Sequence, residues 1–368
     1  MEKSGDSFEI KKVKKELLPD VAKFLFNKKH CGYSENEWLD KFTYFWDNNP
    51  WFDEDKHCRG WVLVNYNQEI YGFIGNIPVV YFRDGKPEYA FCATTWVVSM
   101  QARSQSLKLY SKIIEQNAVI LSTTTEPKLR HAITFLFGYD ELEPYWLEYD
   151  YTIPLNLLES FKFISFSNQD SIIKNNILKL GCIFSKFVST VYSFVNSRLK
   201  PELTVSQCSS VPEDIDVFNG KFISKYKYVL PRDKNNIGWL YFSGKQSSTR
   251  LVLTLREGST LIGLVSFKCI FSRGVTRLEL LDISTLYLSG NIIKKIITQV
   301  QIIAKKWRPD IAFVTFYSLH DEMTSELLKS GFYKTKGINS FFIRSTPLHS
   351  EIPEFHVSPI DGDRAFFP

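Results

Sequence analysis

Residues 99 to 114, SMQARSQSLKLYSKII, place small and polar side chains where an amphipathic helix begins. The stretch is typical of a strand end, a tight turn and a helix that continues from Leu107. The first amides of a helix have no partner within it, and with the helix dipole they favour an anion such as a pyrophosphate. Because Ser104 and Ser106 are small, a phosphate can approach these amides. The sequence therefore predicts an anion site at this turn.

Two carboxylates interrupt an apolar strand in the second half of the chain. Glu279 and Asp282 lie in RLELLDIS, between leucine and isoleucine positions. A partly buried acid at the wall of a cleft is a candidate for substrate binding, and the alternative is a structural role within the strand. We treat both residues as candidate substrate-binding groups.

The cysteines and histidines form no metal or redox motif. The six cysteines are scattered without a Cys-x-x-Cys spacing, which is typical of reduced, buried thiols. Cys92 lies in the middle of a predicted strand without a basic neighbour, so we expect an inert thiol there. The pairs His30-Cys31 and His57-Cys58 join adjacent residues, whereas structural zinc ligands usually stand about two to four residues apart. No metal site is predicted.

The composition is that of a folded protein without a charged tract. The 368 residues are 44% apolar, and 45 basic side chains stand against 40 acidic ones. A single core rarely grows beyond about 250 to 300 residues, so two domains are expected. No block of like charges occurs, and nucleic acid is not a predicted partner. Neither a signal peptide nor a run of about 18 apolar residues is present, so we expect a cytoplasmic protein with no integral membrane segment.

The elements around the turn occur twice along the chain. Residues 8 to 150 predict the order β-α-α-β-β-β-α-β-α, and Ser34 and Glu37 form a capping-box pattern at the second helix. From residue 214 this pattern partly repeats, as a helix, three strands, a helix, a strand and a helix. The sequence therefore predicts an α/β (α+β) protein built from two similar units.

Residues 155 to 212 are predicted as a helical connector followed by a linker. Apolar side chains recur there at steps of three and four and form one stripe on a helix: Ile173, Ile177, Leu180, Phe184, Phe187, Val191 and Phe194. We favour packing of this stripe between the two domains, and the alternative is peripheral membrane contact through residues 171 to 198. The segment KPELTVSQCSSVPEDID is predicted as the linker.

Six positions at the turn match a Q/R-x-x-G-x-G/A motif, with serine at both glycine positions: Gln101, Ala102, Arg103, Ser104, Gln105 and Ser106. With this motif, residues 8 to 150 resemble the GCN5-related N-acetyltransferase (GNAT) fold, and residues 214 to 345 resemble it more weakly. The resemblance implies that the turn and Leu107 bind the pyrophosphate of acetyl-CoA or another acyl-CoA as co-substrate. It also implies that the backbone of Val97 and Val98 faces the pantetheine arm.

The resemblance implies two tandem GNAT-like domains, each with a mixed, mostly antiparallel sheet flanked by helices. The predicted boundaries are 1 to 154 for the first domain, 155 to 212 for the connector and 213 to 368 for the second domain. The second unit has no such turn in DISTLYLSGNIIKK. We therefore expect one acyl-donor site, in the first domain, with the second domain completing the acceptor cleft.

In this family the amine attacks the thioester directly, and the protein orients the reactants and removes a proton. Near the expected site, the candidate bases are Glu126 and His131, and Tyr145 is the candidate acid. The tyrosine that protonates the departing thiolate in the family is absent, because Thr134 and Leu327 stand at its positions in the two units.

Three further segments are NNPWFDEDKHCRGWVLVNYNQEIYGFIGNIPVVYFRDGK, LPRDKNNIGWLYF and IDGDRAFFP. They resemble tandem acetyltransferase-like proteins of bacterial surface-polysaccharide gene clusters, which implies a small-molecule acceptor, an amino sugar of a polysaccharide precursor. Two alternatives stay open: a non-catalytic binding module, and an aminoacyl-tRNA-dependent transferase, against which the diffuse charge argues. The sequence makes no prediction of the oligomeric state.

Overall fold

A computed structural model describes residues 7–116, 118–122, 130–142, 149–167, 172–196, 202–272, 274–336, 341–344 and 355–356. The helices are α1 Leu18–Asn27, α2 Glu35–Phe42, α3 Ser106–Ile114, α4 Arg130–Phe137, α5 Leu157–Ser167, α6 Ile172–Asn196, α7 Ile215–Ile223, α8 Lys234–Ile237, α9 Gly290–Trp307 and α10 Asp321–Lys329. The strands are β1 Glu9–Lys12, β2 Gly60–Val64, β3 Ile70–Arg83, β4 Lys86–Val98, β5 Val119–Ser122, β6 Asp140–Leu142, β7 Tyr149–Pro154, β8 Leu203–Cys208, β9 Tyr228–Val229, β10 Arg250–Glu257, β11 Thr260–Ser272, β12 Val275–Thr285, β13 Ile311–Tyr317, β14 Tyr333–Lys336, β15 Phe341–Arg344 and β16 Phe355–His356.

The first sheet follows the order β1-β2-β3-β4-β5-β15-β6, and β9 and β16 extend it from the end of β3. Its neighbours are antiparallel except for the parallel pairs β4–β5 and β9–β16. The long hairpin of β3 and β4 is closed by Asp84 and Gly85, which have φ of 50° and 75°. Two-residue hairpin turns favour such positive φ values because they match the twist of the strands.

The second sheet follows the order β8-β10-β11-β12-β13-β7-β14 and repeats the main path of the first sheet position by position. The structure corrects the predicted linker at β8, which takes the place that β1 has in the first sheet. In β8, buried Leu203 and Val205 alternate with exposed Thr204 and Ser206, the period of a strand with one buried face. The two mixed sheets and their flanking helices confirm the predicted α/β fold class.

The two sheets exchange one strand each at corresponding positions. β7 follows the elements of the first sheet along the chain, but it lies between β13 and β14, with Ile153 opposite Val314. Reciprocally, β15 lies between β5 and β6, with Phe342 opposite Ser122. The pairing therefore crosses the predicted boundaries at residues 154 and 213, and the division of the chain into domains stays a prediction.

The two halves meet through a pair of equivalent π-helical turns. Ser34 and Glu37 form the predicted capping box at the start of α2, and a π-turn over Thr43–Asp47 continues that helix. A second π-turn, Gly238–Phe242, continues α8. The indole of Trp239 donates to the Tyr44 carbonyl at 2.8 Å, and the Tyr44 hydroxyl donates to the Leu240 carbonyl at 3.1 Å. These buried contacts join the halves in one core.

Helix α6 packs with the opposite face from the one that the sequence analysis favours. Its inner face is small and polar, with Cys182, Ser185 and Ser189 buried, whereas the apolar stripe points outward, with Phe184 69% and Phe187 67% exposed. The preferred prediction, that the stripe packs between domains, is therefore wrong. Among the helices in the described part of the chain, none is long and apolar enough to cross a membrane.

Candidate functional site

The described part of β4 extends beyond its pairing with β5. The two strands pair in parallel from Ala90 opposite Val119 to Cys92 opposite Leu121. Beyond Cys92, β4 continues to Val98 along β3, where Val97 lies opposite Phe73. Within the described residues, this last part of β4 has no strand partner on the β5 side. In the described part of the chain, the backbone of Val97 and Val98 therefore pairs only on the β3 side, and its exposure to a chain-like ligand on the other side stays a prediction.

A strained bulge lies in β4 just beyond its described pairing with β5. The register of the β3–β4 pair shifts between Phe73 and Gly75 of β3. On β4, Thr95 has φ of 54°. A β-branched residue with positive φ is an outlier, and such strain is concentrated at functional sites. Gly75 is required there, because a Cβ on it would lie 2.7 Å from the Thr94 methyl carbon. Sequence reasoning missed this bulge, since it arises from pairing with β3.

The turn after β4 is tighter than the sequence predicts. Residues Met100–Gln105 form a 3₁₀ helix, and α3 begins at Ser106, one residue before the predicted start. The amide of Ala102 donates to the Ser99 carbonyl at 3.0 Å, and the Ser106 amide donates to the Arg103 carbonyl. Two of the backbone amides that we expect to face a phosphate therefore donate to carbonyls of the turn instead.

The side chains of the turn leave it accessible to an anion. Gln101, Arg103 and Ser104 are exposed, Gln105 and Ser106 are half-buried, and Leu107 is 47% exposed. The first turn of α3 contains no acidic residue. An exposed guanidinium, an exposed hydroxyl and the positive end of a nine-residue helix together suit a pyrophosphate.

Aromatic residues hold the end of β4 against α3. The Trp96 ring lies 4.6 Å from that of Tyr110 on α3, and the Tyr110 hydroxyl donates to the Tyr139 hydroxyl at 2.9 Å. The indole N–H of Trp96 is buried and meets no acceptor within the described residues. The sequence analysis did not identify these three residues. Gly138, which precedes Tyr139, ends α4 with φ of 65°, and a glycine directly before an aromatic residue is the signal in the sequence that could have identified Tyr139.

The candidate catalytic residues stay predictions. Glu126 and Tyr145 lie outside the described residues, and His131 lies on α4. Thr134, at the family's acid position, lies on the same helix, where its carbonyl accepts the Gly138 amide. Within the described ranges, no group of three histidine, cysteine, aspartate or glutamate side chains is placed to hold a metal ion.

The corresponding cleft of the second sheet is filled by an ion pair. β12 leaves β13 after Glu279, and the fully buried Asp282 follows the bulge beyond it. Arg232 donates to its carboxylate at 2.9 and 3.1 Å. Tyr241 donates to the same group at 2.5 Å, and burial and this negative charge raise the pKa of Tyr241. The groups that bind Asp282 are therefore supplied by the protein itself.

Glu279 does not share the surroundings of Asp282. Its carboxylate lies 3.0 Å from Arg277, and the Arg277 guanidinium lies 5.9 Å from the Phe163 ring on α5. The structure therefore gives each of the two predicted substrate-binding acids a different arginine. Whether either acid meets a substrate stays a prediction.

The helix that corresponds to α3 has a carboxylate at its start. The Gly290 amide, at the first position of α9, donates to Glu322 Oε1 at 2.9 Å. A Cβ on Gly290 would lie 2.7 Å from that oxygen, so glycine is required for this approach. Glu322 was not identified in the sequence, since it lies 32 residues further along the chain. The carboxylate of Glu322 thus lies at the start of α9, where an anionic ligand would otherwise bind.

No protein family model matches the sequence, and no curated protein matches it. The structure is similar to that of a GCN5-related N-acetyltransferase from Anabaena variabilis, with 13% identity and a TM-score of 0.55, covering 93% of this chain and 74% of the other. It is similar to Saccharomyces cerevisiae N-myristoyltransferase with bound myristoyl-CoA, with 14% identity and a TM-score of 0.54, covering 93% and 79%. A probable N-acyltransferase from Enterococcus faecalis matches with 9% identity and a TM-score of 0.54, covering 93% and 73%. These similarities show that the chain has the GNAT fold.

Proposed function

We propose that the protein is an acyl-CoA-dependent N-acyltransferase that binds its acyl donor at the turn between β4 and α3. The observation that carries this proposal is the difference between two corresponding helix starts. The start of α3 is accessible and has no acidic residue in its first turn, whereas a carboxylate occupies that of α9. The solved relatives support the proposal, since one of them has myristoyl-CoA bound.

In the proposed reaction, an acceptor amine attacks the carbonyl carbon of the thioester. An N–C bond forms and the C–S bond breaks, while the nitrogen loses a proton and the departing thiolate gains one. Glu126 and His131 are the proposed bases and Tyr145 is the proposed acid, since the sequence places them just after β5, on α4 and after β6. The residues of the turn bind the pyrophosphate, and Val97 and Val98 line the pantetheine arm.

The proposed acceptor is a small molecule, an amino sugar of a surface-polysaccharide precursor. This part rests on the sequence resemblance of the three segments given above. The second half of the chain supplies the opposite wall of the acceptor cleft in this proposal, with Glu279 on that wall. A cytoplasmic location is part of the proposal, because acyl-CoA is a cytoplasmic metabolite.

Calorimetric titration with acetyl-CoA and with myristoyl-CoA tests the donor site. Ser106→Glu places a negative charge at the start of α3, and we expect it to weaken binding by at least about tenfold. Ser289→Glu is the matched control, because Ser289 is exposed and precedes α9 in the second half. We expect the control to bind as the wild type does.

Three outcomes would contradict the proposal. Equal binding by Ser106→Glu and the wild type would place the site elsewhere, and loss only in Ser289→Glu would move it to the second half. Failure of the wild type to bind either thioester would favour a non-catalytic binding module. If binding is found, release of free thiol in the presence of a nucleotide-linked amino sugar tests the acceptor separately.

A further inference from the structure

Helix α6 presents a continuous apolar stripe to the outside of the molecule. The members described with their exposure lie three or four residues apart: Ile177 63%, Leu180 66%, Phe184 69%, Phe187 67%, Val191 46% and Phe194 76%. Single exposed apolar side chains are ordinary, but contiguous apolar patches of this extent mark interaction sites. The stripe is therefore a candidate interaction surface.

The opposite face of α6 is fixed to the rest of the protein by hydrogen bonds. These bonds determine that the apolar stripe faces outward. Ser189 is buried and its hydroxyl bonds to Gln301, and the Ser185 hydroxyl donates to the Gly331 carbonyl. Tyr192 donates to Glu326 at 3.0 Å. Rotation of the helix to bury its phenylalanines would break these hydrogen bonds and leave buried polar groups without partners.

The charges along the stripe favour an anionic partner. Within Ile172–Asn196, α6 carries three lysines and no aspartate or glutamate. Lys186 lies beside Lys305 of α9, and burial together with this neighbouring charge lowers the pKa of Lys186 to about 8. A second copy of the chain would bring the same lysines together and increase the repulsion, whereas a negatively charged surface would relieve it.

A cavity beside the stripe favours a fluid partner over a folded one. A volume of about 600 Å³ lies between α5, α6, β13 and the start of β14, and Ile177 and Phe184 belong both to its lining and to the stripe. Most of the other lining residues are apolar, among them Phe163 and Phe313. The hydrocarbon chains of a lipid can enter such a space, whereas a flat protein surface would leave it empty.

From the exposed stripe, the lysines and the cavity, we propose that α6 lies in the surface of an anionic lipid bilayer. The phenylalanines and aliphatic side chains enter the boundary between headgroups and acyl chains, and Lys179 and Lys186 contact lipid phosphates, as in interfacial amphipathic helices. This proposal is independent of the proposed acyl transfer, since it uses no residue of that site.

Vesicle flotation of the full chain tests the proposal. Vesicles of phosphatidylcholine with about one third phosphatidylglycerol are compared with vesicles of phosphatidylcholine alone, and we expect stronger flotation with the anionic ones. Phe187→Asp is expected to weaken this binding by at least about tenfold. The matched control is Phe271→Asp, because Phe271 is 74% exposed and lies on β11. We expect the control to float as the wild type does.

Four results would overturn the proposal. They are no flotation of the wild type with anionic vesicles, equal flotation with both vesicle types, and equal losses in Phe187→Asp and Phe271→Asp. The fourth is a dimer of the wild type in analytical ultracentrifugation that Phe187→Asp converts to a monomer, because a second copy would then cover the stripe. Circular dichroism of the two variants distinguishes loss of binding from loss of folding.

Discussion

The starts of α3 and α9 lie at corresponding places in the two sheets, yet they offer opposite environments to an anion. Next to α3, β4 contains a strained threonine and the turn has an exposed arginine and serine. Next to α9, Glu322 occupies the helix start and the Arg232–Asp282 pair fills the cleft. The start of α3 is therefore exposed, whereas the corresponding positions of the second half make contacts within the chain.

The difference teaches that a shared fold does not imply a shared site. In the second half, Arg232 and Asp282 near the cleft are both fully buried and bonded to each other, so that each leaves a buried charge without a partner when the other is removed. In the first half, Thr95 holds a backbone conformation that costs free energy. We therefore expect substitutions in the second cleft to change folding, and those in the first to change ligand binding.

The largest effect is expected from Asp282→Ala. Removing this carboxylate leaves Arg232 buried without its charge partner, which costs about 3 to 5 kcal/mol in the free energy of unfolding. Urea denaturation followed by circular dichroism measures the change. The double variant Arg232→Met with Asp282→Leu should recover most of the loss, and a double variant as unstable as Asp282→Ala would show that the loss does not come from an unpaired buried charge.

A second comparison substitutes glycine for one threonine in each cleft. Thr95→Gly relieves the strain at φ of 54°, which offsets the lost side-chain packing, so we expect a stability change within about 0.5 kcal/mol. Thr285, buried at the end of β12, has no positive φ, and Thr285→Gly should cost about 1 to 2 kcal/mol. Thermal unfolding measures both, and equal losses would show that Thr95 is not strained.

Glu322→Ala tests whether the carboxylate is all that separates the two helix starts. It removes the acceptor of the Gly290 amide, and we expect a loss of about 1 kcal/mol in stability. Because Asp282 and Arg232 still fill the cleft, calorimetry should detect no second acyl-CoA site. A stoichiometry of two in this variant would show that Glu322 alone closes the second half.

The smallest effect concerns the contact between the halves, where Lys41 of α2 is 7% exposed. Burial lowers the pKa of Lys41 to about 8 from its ordinary 10.5. Between these values the unfolded chain binds more protons than the folded one, so stability should rise with pH from about pH 8. The pKa of Lys186 is also lowered by burial. Lys41→Met should therefore reduce, without abolishing, this slope.

The exposed Lys221 provides the control for this pH dependence. Unfolding in urea, measured at several pH values between about 7.5 and 9.5, gives the slope for the wild type and for each variant. Lys221→Met should leave the slope unchanged. A slope in Lys41→Met equal to that of the wild type would contradict the inferred burial of a charged group in this contact.

The sequence by itself determined the local elements. The element order predicted for residues 8 to 150 includes the strands β3 and β4, Ser34 and Glu37 predicted the start of α2, and the polar residues before Leu107 predicted the start of α3 within one residue. These features depend on neighbours a few residues apart, and steric and hydrogen-bonding preferences over that distance are readable from residue types.

Only the tertiary structure decided which surfaces these elements share. The exchange of β7 and β15, the Gly290 contact with Glu322 and the Arg232–Asp282 pair join residues that are distant in the chain. The stripe on α6 was visible as a period of three and four, but its exposure depends on hydrogen bonds from Ser185 and Ser189 to elements over one hundred residues away. Periodicity records that a helix has two faces, whereas the contacts available after folding determine which one is buried.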